Sequence, residues 1–409
     1  MRDRFLAFSP PLIGDQEIEE VIDTLRSDWI TTGPKVRRFE QEFAAFLGAP
    51  DALAVSSCTA ALHLALLVLG VGPGDGVVTS PLTFCSGANV IEHVGARPIL
   101  ADIEPTTLNI DVEQTRRAVE DAKSRYGVTV KAIMPVHLYG HPCDRAAILA
   151  LAKEHGLAVI EDAAHALPAR YQGARIGSDP GTANTPVLTC FSFYATKNLT
   201  TAEGGMLTGS TELLDRARIW ALHGMNRDAW KRYGSQGAWF YEIVCPGYKY
   251  NMTDLQASLG LRQLSKLSAF HARRKEIVTK YNSTFSQCVG VQTPTERIDV
   301  EHAWHLYVLR IDGNEAKVSR DEVIAHLRRD NIGSSVHFIP IHLHKYYRDK
   351  YDYKPQDFPV ALRSYEQIVS LPLSPRMSDE DVEDVIRSAS SVLGCGDQPN
   401  HVGAEIAGV

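Results

Sequence analysis

Residues 191–205 read FSFYATKNLTTAEGG, with one lysine, Lys197, between an apolar run and a glycine pair. An exposed loop lysine is the ordinary reading. A desolvated lysine near other charges has a depressed pKa, and its amine can form a Schiff base. Ser192 and Thr196 are its polar neighbours in the chain. Upstream, VIEDAAHALPARY (159–171) ends a buried-looking run in Glu161 and Asp162. A carboxylate at the carboxyl end of a parallel strand can hold a cationic ring nitrogen or a ribose. The plain alternative is a helix cap or first-turn acid. SSCTAAL (56–62) runs a strand into a helix whose first turn carries Ser57, Cys58 and Thr59. Free N–H groups, a hydroxyl and small side chains there suit a phosphate; ordinary Ser/Thr capping is the alternative. LTFCSGAN (82–89) places Phe84 just past a strand, where it can stack on a planar ring or pack in the core.

Taken singly, each piece is weak. Together they supply a phosphate seat, a ring stack, a pyridinium partner and a reactive amine, the set that pyridoxal 5′-phosphate (PLP) requires. Two other motifs are set aside. GVGPGDG (70–76) follows a helix and precedes a strand, the reverse of a dinucleotide fingerprint, and reads as a helix stop and turn. HFIPIHLHKYY (337–347) offers His337, His342 and His344 without HExxH or CxxC, which favours a substrate-facing loop over zinc.

The elements that must position these residues alternate along the chain. VRRFEQEFAAFLG puts Val36, Phe39, Phe43, Phe46 and Leu47 on one helical stripe. ALAVSS, GVVTS, RPILAD, VKAIMPVH, LAVIEDAA and VLTCFSFY are short apolar runs separated by helical stretches such as TAALHLALLVLG and DVEQTRRAVEDAKSRYG. That pattern predicts an α/β fold with a mostly parallel central sheet covered on both faces. Near residue 253 the pattern changes to one long helix, then the strand HLYVLRI and a helix opened by a Ser319/Glu322 capping box. A last helix starts near Ser378. We expect a large domain over 1–255, with its N-terminal segment against the second domain, a smaller α+β domain over 256–395, and a flexible tail over 396–409.

The 409 residues are 44% hydrophobic and 22% charged, a globular composition with room for a large core. The net charge of −7 argues against a general nucleic-acid binder. MRDRFLAFSPPLIGD is broken by proline and lacks a signal-type apolar core. AALHLALLVLG is about half a membrane span. A cytoplasmic protein without membrane association is expected. Seven scattered cysteines with no CxxC are expected to be reduced thiols.

DWITTGPKVRRFE, SSCTAALHLAL, EDAAHAL, FSFYATKNLTTAEGG, HGM, PGYKYNMTD and LPLSP occur in one order along nearly the whole chain. This series resembles the DegT/DnrJ/EryC1/StrS sugar aminotransferases, which have the aspartate aminotransferase (PLP fold type I) architecture. It is most similar to enzymes that aminate a UDP- or dTDP-linked 4-ketosugar, such as those making UDP-4-amino-4-deoxyarabinose. The resemblance implies Lys197 as the Schiff-base lysine, Asp162 as the pyridinium partner, and Cys58, Thr59 and Ser192 as phosphate ligands. It also implies Phe84 as the ring stack and His165 near the phenolic oxygen, where many relatives carry glutamine. Asn251 would reach the cofactor of a neighbouring subunit, making a homodimer with shared sites. L-Glutamate is the implied amino donor and pyridoxamine 5′-phosphate the alternate cofactor form. Arg227, Lys231, Arg232 and Tyr233 in HGMNRDAWKRYG, with His337, are candidates for gripping the nucleotide sugar. A 3-ketosugar substrate, or a PLP-binding regulator without catalysis, are the alternatives.

Overall fold

The computed structural model describes residues 2–226 and 240–395. The short β-branched runs are buried on both faces and form the middle of one eight-stranded sheet. In spatial order its strands are Asp51–Val55, Gly205–Gly209, Thr185–Ser192, Ala158–Asp162, Thr129–Met134, Asp75–Thr79 and Arg97–Leu100, with Gly181–Thr182 beside Thr185–Ser192. From Thr185–Ser192 to Arg97–Leu100 the path is parallel. Gly205–Gly209 runs antiparallel to both of its neighbours. The glycine pair therefore opens a strand in addition to ending a turn.

Helices cover both faces. Pro34–Leu47 buries Val36, Phe39, Phe43 and Leu47. Phe39 and Phe43 meet Phe193 with ring centres 5.5 Å apart in each case. The helix Asp254–Phe285 is one piece of 32 residues, opened by a Thr253/Gln256 capping box. It lies against Pro34–Leu47 through Gly260, where an added Cβ would come within 2.6 Å of the Phe39 ring. Beyond it, Val291–Gln292, Tyr307–Ile311 and Ile368–Leu371 form a three-stranded antiparallel sheet. The helices Arg320–Arg329, with its Ser319/Glu322 box, and Asp379–Leu393 pack in the same core. Leu6 forms a bridge with Ile332, and Arg2 pairs with Asp381 at 2.6 Å. Among the described residues, no helix is long and apolar enough to cross a membrane.

The expectation of seven reduced thiols is corrected. Cys288 and Cys395 are joined in a disulfide. Cys288 follows the long helix and Cys395 follows the last one, and both lie at the same apolar cluster. A separation of 107 residues gave no local signal for that meeting. The expected flexible tail lies outside the described residues.

Candidate active site

The site is built at the carboxyl ends of the parallel strands. Glu161 and Asp162 close the strand Ala158–Asp162, and alternation sends their side chains to opposite faces. Glu161 is committed: Arg145 Nε donates to it at 2.6 Å and Thr189 Oγ at 2.7 Å. Those partners hold its carboxyl below the usual range despite burial. Asp162 is also buried but has no ion pair among the described residues. One oxygen accepts the Ala164 N–H at 3.0 Å, and no described residue bonds the other. Burial pushes its pKa up, opposed by that N–H and by Lys197.

Lys197 sits in a tight turn after Thr185–Ser192. Its N–H donates to Tyr194 O at 2.9 Å, and the Thr201 N–H donates to Phe193 O at 2.9 Å. Asn198 fastens the turn by donating to Leu167 O and Ala303 O. Among the described residues Lys197 Nζ has no hydrogen bond or ion pair. Burial pulls its pKa down to about 8, with Cys58 and Asp162 pulling the other way. This is a half-buried amine whose neutral form is accessible, not a solvated surface charge.

The helix Cys58–Val68 begins beside this lysine. Ser57 Oγ caps the Ala60 N–H at 3.1 Å. The N–H groups of Cys58 and Thr59 have no acceptor among the described residues. Thr59 is exposed, whereas the Cys58 thiol is buried and turned towards Cys190 O at 3.6 Å. Cys58 thus offers its backbone, not its sulfur. Gly205 pairs with Ser192 and passes directly under the helix start. A Cβ there would lie 2.5 Å from Ser57 C and 2.6 Å from Cys58 N. The close approach brings Ser192 to the same helix end and gives the glycine pair a steric reason.

Phe84 is 59% exposed, so core packing does not explain it. Its ring centre is 5.9 Å from Phe338, which reaches in from the 337–347 segment. Phe338 lies nearly parallel to His165 at 5.8 Å. His165 is buried and accepts the Tyr139 N–H at Nδ1. His337 joins the cluster: its Nδ1 pairs with Ser370 Oγ at 2.8 Å, its carbonyl accepts from Tyr139 Oη, and burial lowers its pKa to about 4. Tyr139, Asn198, His305 and Phe338 were missed by sequence reasoning. Phe338 lay inside a quoted segment, but nothing in its spacing set it apart.

Asn251 bridges Val55 just before the helix start, but its side chain faces elsewhere. Its Nδ2 donates to Thr32 Oγ at 2.6 Å, and both line a cavity of about 1010 Å³ with Glu40 and Arg218. None of Lys197, Asp162 or His165 lines that cavity. Arg227, Lys231, Arg232 and Tyr233 lie outside the described residues.

The chemistry of the donor set fits PLP. Among the described residues, the unbonded Asp162 oxygen suits a protonated ring nitrogen, the free N–H groups of Cys58 and Thr59 suit a phosphate, and Lys197 supplies an unpaired amine.

Comparison with known proteins agrees. The chain is 53% identical over 394 residues to the Bacillus subtilis spore coat polysaccharide biosynthesis protein SpsC, covering 96% of this chain and 98% of that one. The solved PLP form of Spr1654 from Streptococcus pneumoniae superposes with a TM-score of 0.85 at 35% identity, covering 95% and 99% of the two chains. PseC of Helicobacter pylori, an aminotransferase involved in pseudoaminic acid biosynthesis, gives a TM-score of 0.85 at 25% identity over 96% and 100%. The family model for these enzymes matches residues 11–390, and the chain belongs to the DegT/DnrJ/EryC1/StrS aminotransferase family.

Proposed function

We propose that this PLP-dependent sugar aminotransferase converts a nucleotide-activated 4-ketosugar, UDP- or dTDP-linked, to the 4-aminosugar with L-glutamate as donor. The observation that carries the reading is Lys197: a half-buried amine, unpaired among the described residues, that interacts electrostatically with Asp162. Similarity to a spore coat polysaccharide protein supports an aminosugar destined for a polysaccharide.

In this reading Lys197 Nζ holds the cofactor at rest, and the Cys58 and Thr59 N–H groups with Ser192 hold its phosphate. Asp162 keeps the ring nitrogen protonated, and Phe84 stacks on the ring. The cofactor, when bound, stabilises negative charge at the donor's α-carbon. Lys197 does the proton work. With a pKa of about 8 its neutral form is about one-tenth populated at neutral pH. With its amine free, Lys197 Nζ would be the base that takes the donor's α-proton and, once protonated, the acid that gives it up to the cofactor's exocyclic carbon. The same lysine runs the sequence in reverse for the ketosugar. Asp162 contributes a fixed, preorganised charge. Asn251, facing a separate cavity beside Thr32, is assigned to the cofactor phosphate of a second subunit, so the active unit is a homodimer. His337, with Arg227, Arg232 and Tyr233, is assigned to the nucleotide sugar.

The test is spectroscopic. L-Glutamate should bleach the yellow holoenzyme, and a UDP- or dTDP-4-ketosugar should restore the colour and give an aminosugar by mass. Restoration only by a 3-ketosugar would move the reading to that regiochemistry.

A further inference from the structure

His165 and His305 lie side by side next to Lys197, with ring centres 4.4 Å apart and planes tilted by 39°. Both are buried. Each has one ring nitrogen committed, and the commitments are opposite. The Tyr139 N–H donates to His165 Nδ1 at 3.2 Å. That nitrogen is therefore bare, and a neutral ring carries its proton on Nε2. Asn198 acts in the other sense on His305. Its Nδ2 donates to Leu167 O at 2.9 Å and to Ala303 O at 2.8 Å, which uses both amide hydrogens. A flipped amide would set its oxygen against two carbonyls, so the acceptors fix its orientation. Asn198 Oδ1, 3.3 Å from His305 Nδ1, must then accept. His305 carries its proton on Nδ1, and its Nε2 is bare.

We propose that this opposed pair of tautomers is built into the site: His165 acts only as a hydrogen-bond donor through Nε2–H, and His305, locked by Asn198, is the positioning residue that supports its ring. The assignment of His305 and Asn198 is independent of the sugar. It rests on the proposed function only in taking the cofactor's phenolic oxygen as the acceptor for His165.

Three observations support it. A second proton on His165 Nδ1 would face the Tyr139 N–H. Burial, then Lys197 and His337, hold His165 neutral; burial, then His165, Lys197, Arg274 and His337, do so for His305. Tyr139 ties both residues: its N–H donates to the His165 ring, and its carbonyl accepts the backbone N–H groups of His305 at 3.1 Å and Leu306 at 3.2 Å. Its left-handed φ of 59° is followed by Gly140 at 104°, where a Cβ would meet His165 O at 2.9 Å. With both imidazoles neutral and His165 closed to protonation, proton transfer falls to Lys197.

Ring-nitrogen NMR of holoenzyme labelled with ¹⁵N-histidine tests this between about pH 6 and 9. His165→Gln and His305→Asn assign the signals. His165 should be protonated only at Nε2, His305 only at Nδ1, with no titration. A proton on His165 Nδ1, or either ring becoming cationic, overturns the proposal. His305→Phe keeps a ring against His165, whereas His305→Ala removes it. We expect the His165 tautomer to persist in the first variant. In the second it should average, with glutamate bleaching slowed about tenfold to a hundredfold. Equal losses of melting temperature with an unchanged His165 spectrum in both would refute the positioning role. If His305→Ala does not fold, the wild-type tautomers and the Phe variant decide. Wild-type enzyme with the expected tautomers but no bleaching by any amino acid would sink the proposed function and leave this assignment standing.

Discussion

Replacing Lys197 by methionine should stabilise the cofactor-free protein, and the gain should depend on pH. The native pKa is about 8, against 10.5 for an unperturbed lysine. The unfolded chain therefore binds the proton more tightly than the folded one, and folding at neutral pH must hold an ammonium that its surroundings disfavour. From those two values the penalty at pH 7 is about 3 kcal/mol. As pH rises through the native pKa the folded-state amine loses its proton, and the penalty falls to about 1.5 kcal/mol near pH 9.5. It vanishes above the unfolded pKa. Methionine has similar length and no charge, so it removes the penalty while filling most of the space. The assay is urea unfolding of the apo-protein and the Lys197→Met variant at matched subunit concentration, at pH 7 and near pH 9.5. The variant should be more stable at both values, by less at the higher one. A variant less stable than wild type at pH 7, or a difference that does not shrink with pH, would refute the argument that burial governs this amine.

Further outcomes follow from the same geometry. Gly205→Ala forces a Cβ against Ser57 and Cys58, so PLP affinity measured by absorbance should fall about tenfold to a hundredfold, the loss of about one charge-assisted bond. Asp162→Asn should retain the cofactor yet slow glutamate bleaching about 100-fold or more in stopped flow; an unchanged rate would remove Asp162 from the ring-nitrogen role. The Cys288–Cys395 bond closes a 107-residue loop, so Cys395→Ser should lose up to about 4 kcal/mol under non-reducing conditions and nothing under strong reductant. Intact-mass analysis showing free thiols at both positions in air-equilibrated protein would contradict the bond itself.

Much of the frame was legible because its signals are local. Apolar β-branched runs end at Thr79, Met134, Asp162 and Ser192, and a thirty-residue helical pattern starts after a capping threonine. Lys197 and Asp162 were each legible as residues at the carboxyl end of an apolar strand, and the structure makes those two strands parallel neighbours. What was not legible depends on meetings between distant segments. Gly205–Gly209 is only five residues long, and its glycines looked like a turn until Ser57 and Cys58 were seen against it. Phe338 and His305 reach His165 from the smaller sheet's side, and no periodicity in the sequence encodes that approach. Cys288 and Cys395 meet because two helices end at the same cluster.

The most direct test of the account is one absorbance experiment on holoenzyme and on Lys197→Ala. Wild type should show the yellow band, lose it with L-glutamate while 2-oxoglutarate appears, and recover it with a nucleotide 4-ketosugar as the aminosugar forms. Lys197→Ala should lack the lysine-linked band and turn over neither substrate. A wild-type band that no amino acid bleaches, or sustained turnover by Lys197→Ala, would contradict the central claim that this lysine carries a sugar transamination.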